Sequence, residues 1–164
     1  MKIISLASYN GGEACSVFTC IKKYFYNDNC ITDFFSYLEV SLESINQILL
    51  IDEKYIDSYF KENYEIYLNK DGNYSVIFKN FDKMISHHDL IENNEGSFNK
   101  VVDRYKRRYY RLIDDIKNEN KIFFIRYGKE NPYSINYFIK LVKKINPLLE
   151  LYFINVFSFE LSSP

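Results

Sequence analysis

The sequence predicts a single α/β domain over residues 1–164, with a mainly parallel sheet flanked by helices and an inserted antiparallel hairpin. The second half alternates helix and strand patterns with short connections, which is typical of parallel sheets covered by helices. A short apolar strand followed by an amphipathic helix opens the chain. Asp71-Gly72 lies between two strand-like runs, which indicates a hairpin.

The elements of the first half follow from hydrophobic spacing. Residues 3–6 are predicted as a buried strand, and an amphipathic helix is expected to begin near Ala14. Ser41 is a suitable N-cap for a helix that presents four apolar residues on one face. A second short helix or turn is expected over residues 52–60.

The second half contains the clearest patterns. Residues 64–68 and 74–78 read as the two hairpin strands. The remaining predicted elements are a helix from Ser97 to about Asn118, a strand over 121–126, a helix ending near Ile145 and a strand over 149–157.

Composition and charge restrict the class of protein. The 21 basic and 22 acidic side chains balance, so no global field attracts nucleic acid or anionic lipid. The three cysteines are an odd number, no signal-peptide pattern opens the chain, and no apolar run approaches the roughly 20 residues of a membrane span. We expect a cytoplasmic protein with reduced thiols and no membrane partner.

Cys15 is the candidate nucleophile. It is predicted to lie in the first turn of the helix that follows the first strand, where free backbone N–H groups and the helix dipole favour a thiolate. A thiolate is the form of cysteine that attacks carbonyl carbon. The backbone from Gly12 to Ser16 is expected to supply N–H groups for an oxyanion pocket.

The candidate base is one of two adjacent histidines. His87 and His88 are the only histidines in the chain, and neighbours in an extended segment point to opposite faces, so only one can serve Cys15. We favour His88 because Asp89 follows it and can orient it; the alternative is that both are surface histidines. The cysteines and histidines lack the spacing of a metal site, and we predict neither a metal nor another cofactor.

A basic run, residues 104–111, lies within the long predicted helix. Tyr105 and Tyr109 belong to the apolar stripe, so the basic groups are expected to face water. Asp103 and Asp115 each lie four residues from an arginine and can pair with it. Binding of nucleic acid or another acidic partner through this run is the alternative interpretation.

Polar residues also occur at the predicted strand ends. The carboxyl ends of parallel strands carry the active groups of such folds, and Cys15, Arg126 and Asn155 would emerge there. Arg126 is expected to hold either a substrate carboxylate or a structural acid. Glu130 and Asn131 are candidates for orienting the histidine.

Several short segments together carry a family resemblance. They are Ile4-Ser5-Leu6-Ala7, Cys15-Ser16-Val17, Lys22-Lys23, Phe35-Ser36-Tyr37, Ser41-Leu42-Glu43-Ser44, His88-Asp89, Arg104-Tyr105-Lys106-Arg107-Arg108 and Arg126-Tyr127. In this order, which covers nearly the whole chain, the sequence resembles a family described as papain-like cysteine peptidases. It departs from that family at Ala7, where a glycine is expected, and at Ser36, where an aspartate is expected.

The resemblance implies a function. It implies Cys15 as nucleophile and His88 as base of a hydrolase that acts on a peptide or protein substrate. The alternative is a catalytically inactive protein-binding module on the same fold.

Overall fold

One mixed sheet organises the part of the chain that the structure describes. The computed structural model describes residues 1–9, 17–26 and 34–157, apart from the side chains of residues 25, 26 and 88. The strands are β1 (Lys2–Ser8), β2 (Leu38–Val40), β3 (Tyr64–Leu68), β4 (Tyr74–Phe78), β5 (Met84–Leu90), β6 (Lys121–Tyr127) and β7 (Glu150–Val156).

The helices follow in chain order. Helix α1 is described over residues 17–21 and continues as a turn of π-helix over Lys22–Tyr26. The others are α2 (Leu42–Leu50), α3 (Ile56–Lys61), α4 (Glu95–Asn118) and α5 (Pro132–Ile145), with a short 3₁₀ turn at Glu53–Tyr55. No helix among the described residues is long and apolar enough to cross a membrane.

The strand order is β3-β4-β5-β2-β1-β6-β7. Strands β2, β1, β6 and β7 are parallel to one another. Strands β3, β4, β5 and β2 are joined by antiparallel pairing. The predicted α/β class, with a mixed sheet flanked by helices, is therefore confirmed. The predicted hairpin, β3–β4, lies at one end of the sheet, and β5 connects it to β2.

Buried aromatic rings join the helices to the sheet. Tyr105 of α4 packs against Phe34, Phe60 and Phe78, with ring centroids 5.6–5.7 Å apart. Phe138 of α5 packs against two phenylalanines of the sheet, Phe124 at 5.0 Å and Phe153 at 5.5 Å. The apolar side of each helix therefore faces the core, as amphipathic periodicity requires.

Two strands become irregular near their carboxyl ends. In β1 the pairing with β6 shifts between Ser5 and Ser8, and Ala7 has a positive φ of 56°. In β5 the pairing with β4 shifts between Ser86 and Leu90. Irregularities of this kind redirect side chains and are frequent beside functional sites. The left-handed backbone at Ala7 carries a steric cost, because only glycine adopts this conformation freely.

Gly128 is needed for the turn between β6 and α5. Its φ is 121°, a region that L side chains rarely adopt, and its N–H donates to the carbonyl of Val156 at 2.8 Å. We expect Gly128→Ala to lower the free energy of unfolding by about 1–3 kcal/mol through backbone strain.

The matched control is the same change at Gly96, the second residue of α4, where a methyl group fits. Gly96→Ala should leave stability unchanged or raise it by up to about 1 kcal/mol, because alanine favours the helix. Urea denaturation of both variants provides the measurement. A loss for Gly96→Ala equal to that for Gly128→Ala would contradict the assignment to backbone strain.

Candidate functional site

Part of the predicted site lies outside the described residues. This applies to Cys15, Gly12 and Ser16, and to the side chain of His88. The backbone of His88 belongs to β5, next to His87 and Asp89. The described surroundings of this strand and of the end of β1 form the candidate site.

His87 lies in a chain of hydrogen bonds across three strands. Its Nε2 is 3.0 Å from Glu39 Oε2 on β2, and its Nδ1 is 3.2 Å from Ser75 Oγ on β4. Because a carboxylate only accepts, Nε2 carries the proton and donates to Glu39. In the neutral ring Nδ1 then accepts from the Ser75 hydroxyl. Both ring nitrogens have partners, so the orientation of the imidazole is fixed.

Glu39 connects this histidine to the end of β1. Its Oε1 forms an ion pair with Lys83, and the Lys83 ammonium lies 3.7 Å from the centre of the Tyr9 ring. Burial raises the pKa of Glu39, but hydrogen bonds and charge from Lys83 and His87 outweigh it, so the pKa lies below its ordinary value. Glu39 is also paired in register with Ser8. A charged carboxylate is thus linked through Lys83 to Tyr9, six residues before Cys15.

Asp89 joins β5 to α4. Its Oδ2 accepts from Ser86 Oγ at 2.9 Å and from the Tyr105 hydroxyl, and its Oδ1 accepts from Arg104. The nearby Arg108 Nη1 lies 3.8 Å from Oδ2. Sequence pattern predicts Asp89 as a residue that orients His88. In the described residues its carboxylate is engaged by Ser86 and the side chains of α4.

Ser86, Asp89, Arg104, Tyr105 and Arg108 form a polar group that we call the Asp89 cluster. The pKa values of Asp89 and Tyr105 explain which of its groups are charged. Burial raises the pKa of Asp89, but the hydrogen bonds from Tyr105 and Ser86 and the charges of Arg108 and Arg104 outweigh burial and hold it below its ordinary value. Burial and the Asp89 charge raise the pKa of Tyr105 well above its ordinary value. The phenol therefore keeps its proton and donates a hydrogen bond to the carboxylate.

The basic run on α4 does not lie wholly in water. Arg108 is buried, so the prediction that the basic groups of residues 104–111 face solvent is wrong for this residue. Asp115, predicted to pair with an arginine of its own helix, forms an ion pair with Lys2 of β1 at 3.2 Å. Tyr105 and Tyr109 are buried, as the helical spacing predicts.

Arg126 holds a structural acid. It is fully buried, and its Nε donates to Glu130 Oε1 at 2.6 Å while its Nη1 donates to the carbonyl of Leu6 at 2.7 Å. Burial lowers the pKa of Arg126, and the Glu130 charge counteracts that effect. Asn131 is the N-cap of α5 and accepts from the N–H of Tyr133 at 2.9 Å. The described contacts thus give Glu130 and Asn131 structural partners.

Glu39 and Ser75 are site residues that the sequence pattern does not predict. Glu39 is the central residue of a three-residue strand, between Leu38 and Val40, which are both fully buried. A carboxylate flanked by two core residues is the one signal available in the sequence. Ser75 gives no comparable signal, since a serine within a strand is common.

Further facts limit the chemistry. Cys20 is an exposed free thiol on α1, so it is accessible to thiol reagents. Within the described ranges, no group of three histidine, cysteine, aspartate or glutamate side chains is arranged to hold a metal ion.

No family model, no curated protein and no solved structure matches the chain.

Proposed function

We propose that this chain is a cysteine-dependent hydrolase of peptide or isopeptide bonds, related to the papain-like cysteine peptidases. Cys15 is the nucleophile and His88 the base. The observation that supports this most directly is the contact series Tyr9–Lys83–Glu39–His87, which ties the end of β1 to the histidine-bearing part of β5. The segment that contains Cys15 continues from Tyr9. Such thiol chemistry fits a cytoplasmic location, where thiols stay reduced.

The proposed reaction is acyl transfer in two steps. The Cys15 thiol transfers its proton to the His88 imidazole, and the thiolate attacks the carbonyl carbon of the substrate. The imidazolium returns the proton to the leaving amine, which departs as the tetrahedral intermediate collapses to a thioester. Water, deprotonated by the same imidazole, then hydrolyses the thioester. Backbone N–H groups between Gly12 and Ser16 stabilise the oxyanion.

The contacts of His87 favour His88 as the base. Glu39 and Ser75 lie within hydrogen-bond distance of the two ring nitrogens of His87, so this imidazole can serve as the base only by giving up one of these contacts. His88 is the remaining histidine of the chain. His87 therefore serves as a matched control for His88, with the same side chain one position away.

The test is alkylation of a single thiol. In a Cys20→Ser, Cys30→Ser background, we expect an iodoacetamide probe to label Cys15 with an apparent pKa below the ordinary cysteine value of about 8.5. Labelling should disappear in Cys15→Ala. His88→Gln should slow it at least tenfold at pH 7, and His87→Gln should change it less than twofold.

Two results would reject the proposal. One is a Cys15 labelling profile with an ordinary thiol pKa that neither histidine variant changes. The other is unchanged labelling after Cys15→Ala. Circular dichroism of each variant establishes that the fold is retained.

A protein-binding module without catalysis is the second candidate. Within the described ranges, strand β7 is the last strand of the sheet on its side, and its side chains Tyr152, Ile154 and Val156 are exposed along one face. Exposed apolar edge strands bind extended peptides by strand addition. This candidate gains if Cys15 is unreactive while Ile154→Lys abolishes capture of an extended peptide by the folded chain.

A further inference from the structure

Arg108 is a buried cation with unused hydrogen-bonding capacity. Its side chain is 8% exposed, and its Nη1 has no hydrogen-bond partner among the described residues. The guanidinium carbon lies 5.4 Å from the centre of the Tyr105 ring, and Nη1 lies 3.8 Å from Asp89 Oδ2. That distance allows charge attraction but exceeds hydrogen-bond length. A buried guanidinium donor without an acceptor is energetically unfavourable.

Asp89 does not compensate Arg108 fully. Its two oxygens already accept from Ser86, Tyr105 and Arg104. Among the described residues, two guanidinium groups therefore share one carboxylate, so this part of the chain gives the cluster one more positive than negative charge. Buried charges in proteins are normally paired.

Ser36 provides a second observation, in the turn that precedes β2. Its hydroxyl is fully buried and has no hydrogen-bond partner in the described part of the chain. Phe34, two residues earlier, packs its ring against Tyr105 of the cluster, with centroids 5.7 Å apart. A second unused donor thus lies in a turn that packs against α4.

We propose that Arg108, together with Arg104, binds an oxyanion, either the carboxylate or the phosphate group of a small ligand. Arginine presents a planar set of donors that fits both groups. Arg104, whose side chain is 34% exposed, connects the buried cluster to solvent. The site does not depend on the reactivity of Cys15.

The test uses inorganic phosphate and acetate with the full chain. Thermal unfolding is followed at constant ionic strength, with chloride replaced stepwise by either anion. We expect the midpoint of the wild-type chain to rise and to saturate, as binding to the folded state requires. Arg108→Gln should abolish the saturable rise. A rise with phosphate alone assigns a phosphate ligand, and a rise with acetate assigns a carboxylate.

Arg107 offers the matched control. It is exposed and adjacent to Arg108, so Arg107→Gln removes the same charge from the same helix. Arg107→Gln should keep the saturable rise of the unfolding midpoint. It also serves as the reference for the general stabilisation that phosphate gives by exclusion from protein surfaces. A wild-type midpoint that does not saturate in either anion, or equal shifts in the two glutamine variants, would overturn the proposal.

A second variant keeps the test valid if Arg108→Gln fails to fold. Arg108→Lys retains the charge but loses the planar fork, so it should weaken the apparent affinity for the anion at least tenfold. Isothermal titration measures that affinity directly. Unchanged affinity in Arg108→Lys would exclude Arg108 as the ligand-binding group.

Discussion

Replacing Asp89 with asparagine should lower the free energy of unfolding by about 3–5 kcal/mol, the effect of removing one partner from a buried ion pair. Asp89 is 11% exposed and is the described acid in contact with both Arg104 and Arg108. Asparagine keeps the shape and one acceptor oxygen but leaves two guanidinium groups without a counter-charge. Urea denaturation at pH 7 measures the loss.

Asp57→Asn is the matched control. Asp57 also forms an ion pair with a cation of α4, Lys106 at 2.9 Å, but its side chain is 44% exposed. Exposed ion pairs contribute little, because water solvates both partners and salt screens them. The control should unfold close to the wild-type midpoint. Equal losses in the two variants would show that burial does not determine the energy of the Asp89 cluster.

The Asp89 effect should also depend on pH. The pKa of Asp89 is below its ordinary value in the folded state, so its ionisation stabilises the fold above the unfolded pKa of about 3.9. That stabilisation is lost as pH falls through the lower, folded pKa. The difference in stability between wild type and Asp89→Asn should therefore be full at pH 7 and smaller below about pH 3. A difference that is constant over this range would mean that lost packing, not lost charge, destabilises the variant.

The long elements could be predicted because their patterns are local. Helix α4 is identified by apolar spacing that places Tyr105 and Tyr109 on one face, and both residues are buried. The hairpin is indicated by Asp71-Gly72, and Gly72 adopts the expected positive φ of 77°. In β6, Ile122, Phe124 and Arg126 alternate towards the core, which an extended strand requires.

The polar clusters could not be predicted because they join residues far apart in the chain. Helical spacing places Arg108 on the same face as Tyr105 and Leu112, three and four residues away, but its charge favours a solvated position when only the residues of α4 are considered. The position of Arg108 depends on Asp89, which belongs to β5. Strand β2 has only three residues, so no alternating pattern reveals that Glu39 will meet His87 from another strand.

Arg126 is the second residue whose loss should strongly destabilise the protein. Its guanidinium is fully buried and satisfies both Glu130 and the carbonyl of Leu6. Arg126→Met keeps a long apolar stem but leaves the mostly buried Glu130 charge unpaired, so we expect a loss of about 3–5 kcal/mol in urea denaturation. Lys121→Met, at the exposed start of the same strand, removes a surface pair with Glu150 and should have little effect.

A double-mutant cycle separates the ion pair from the packing of Arg126. Adding Glu130→Gln to Arg126→Met removes the unpaired charge, so the double variant should be more stable than Arg126→Met alone. The coupling between the two positions should fall within the range of about 0.5–3 kcal/mol that contacting residues show. Strict additivity would mean that Arg126 stabilises β1 through Leu6 alone. If the role of Arg126 is structural, Arg126→Met and the double variant should lose Cys15 labelling only in proportion to their loss of folded protein. If Arg126 instead binds substrate, Arg126→Met should weaken substrate affinity even in fully folded protein.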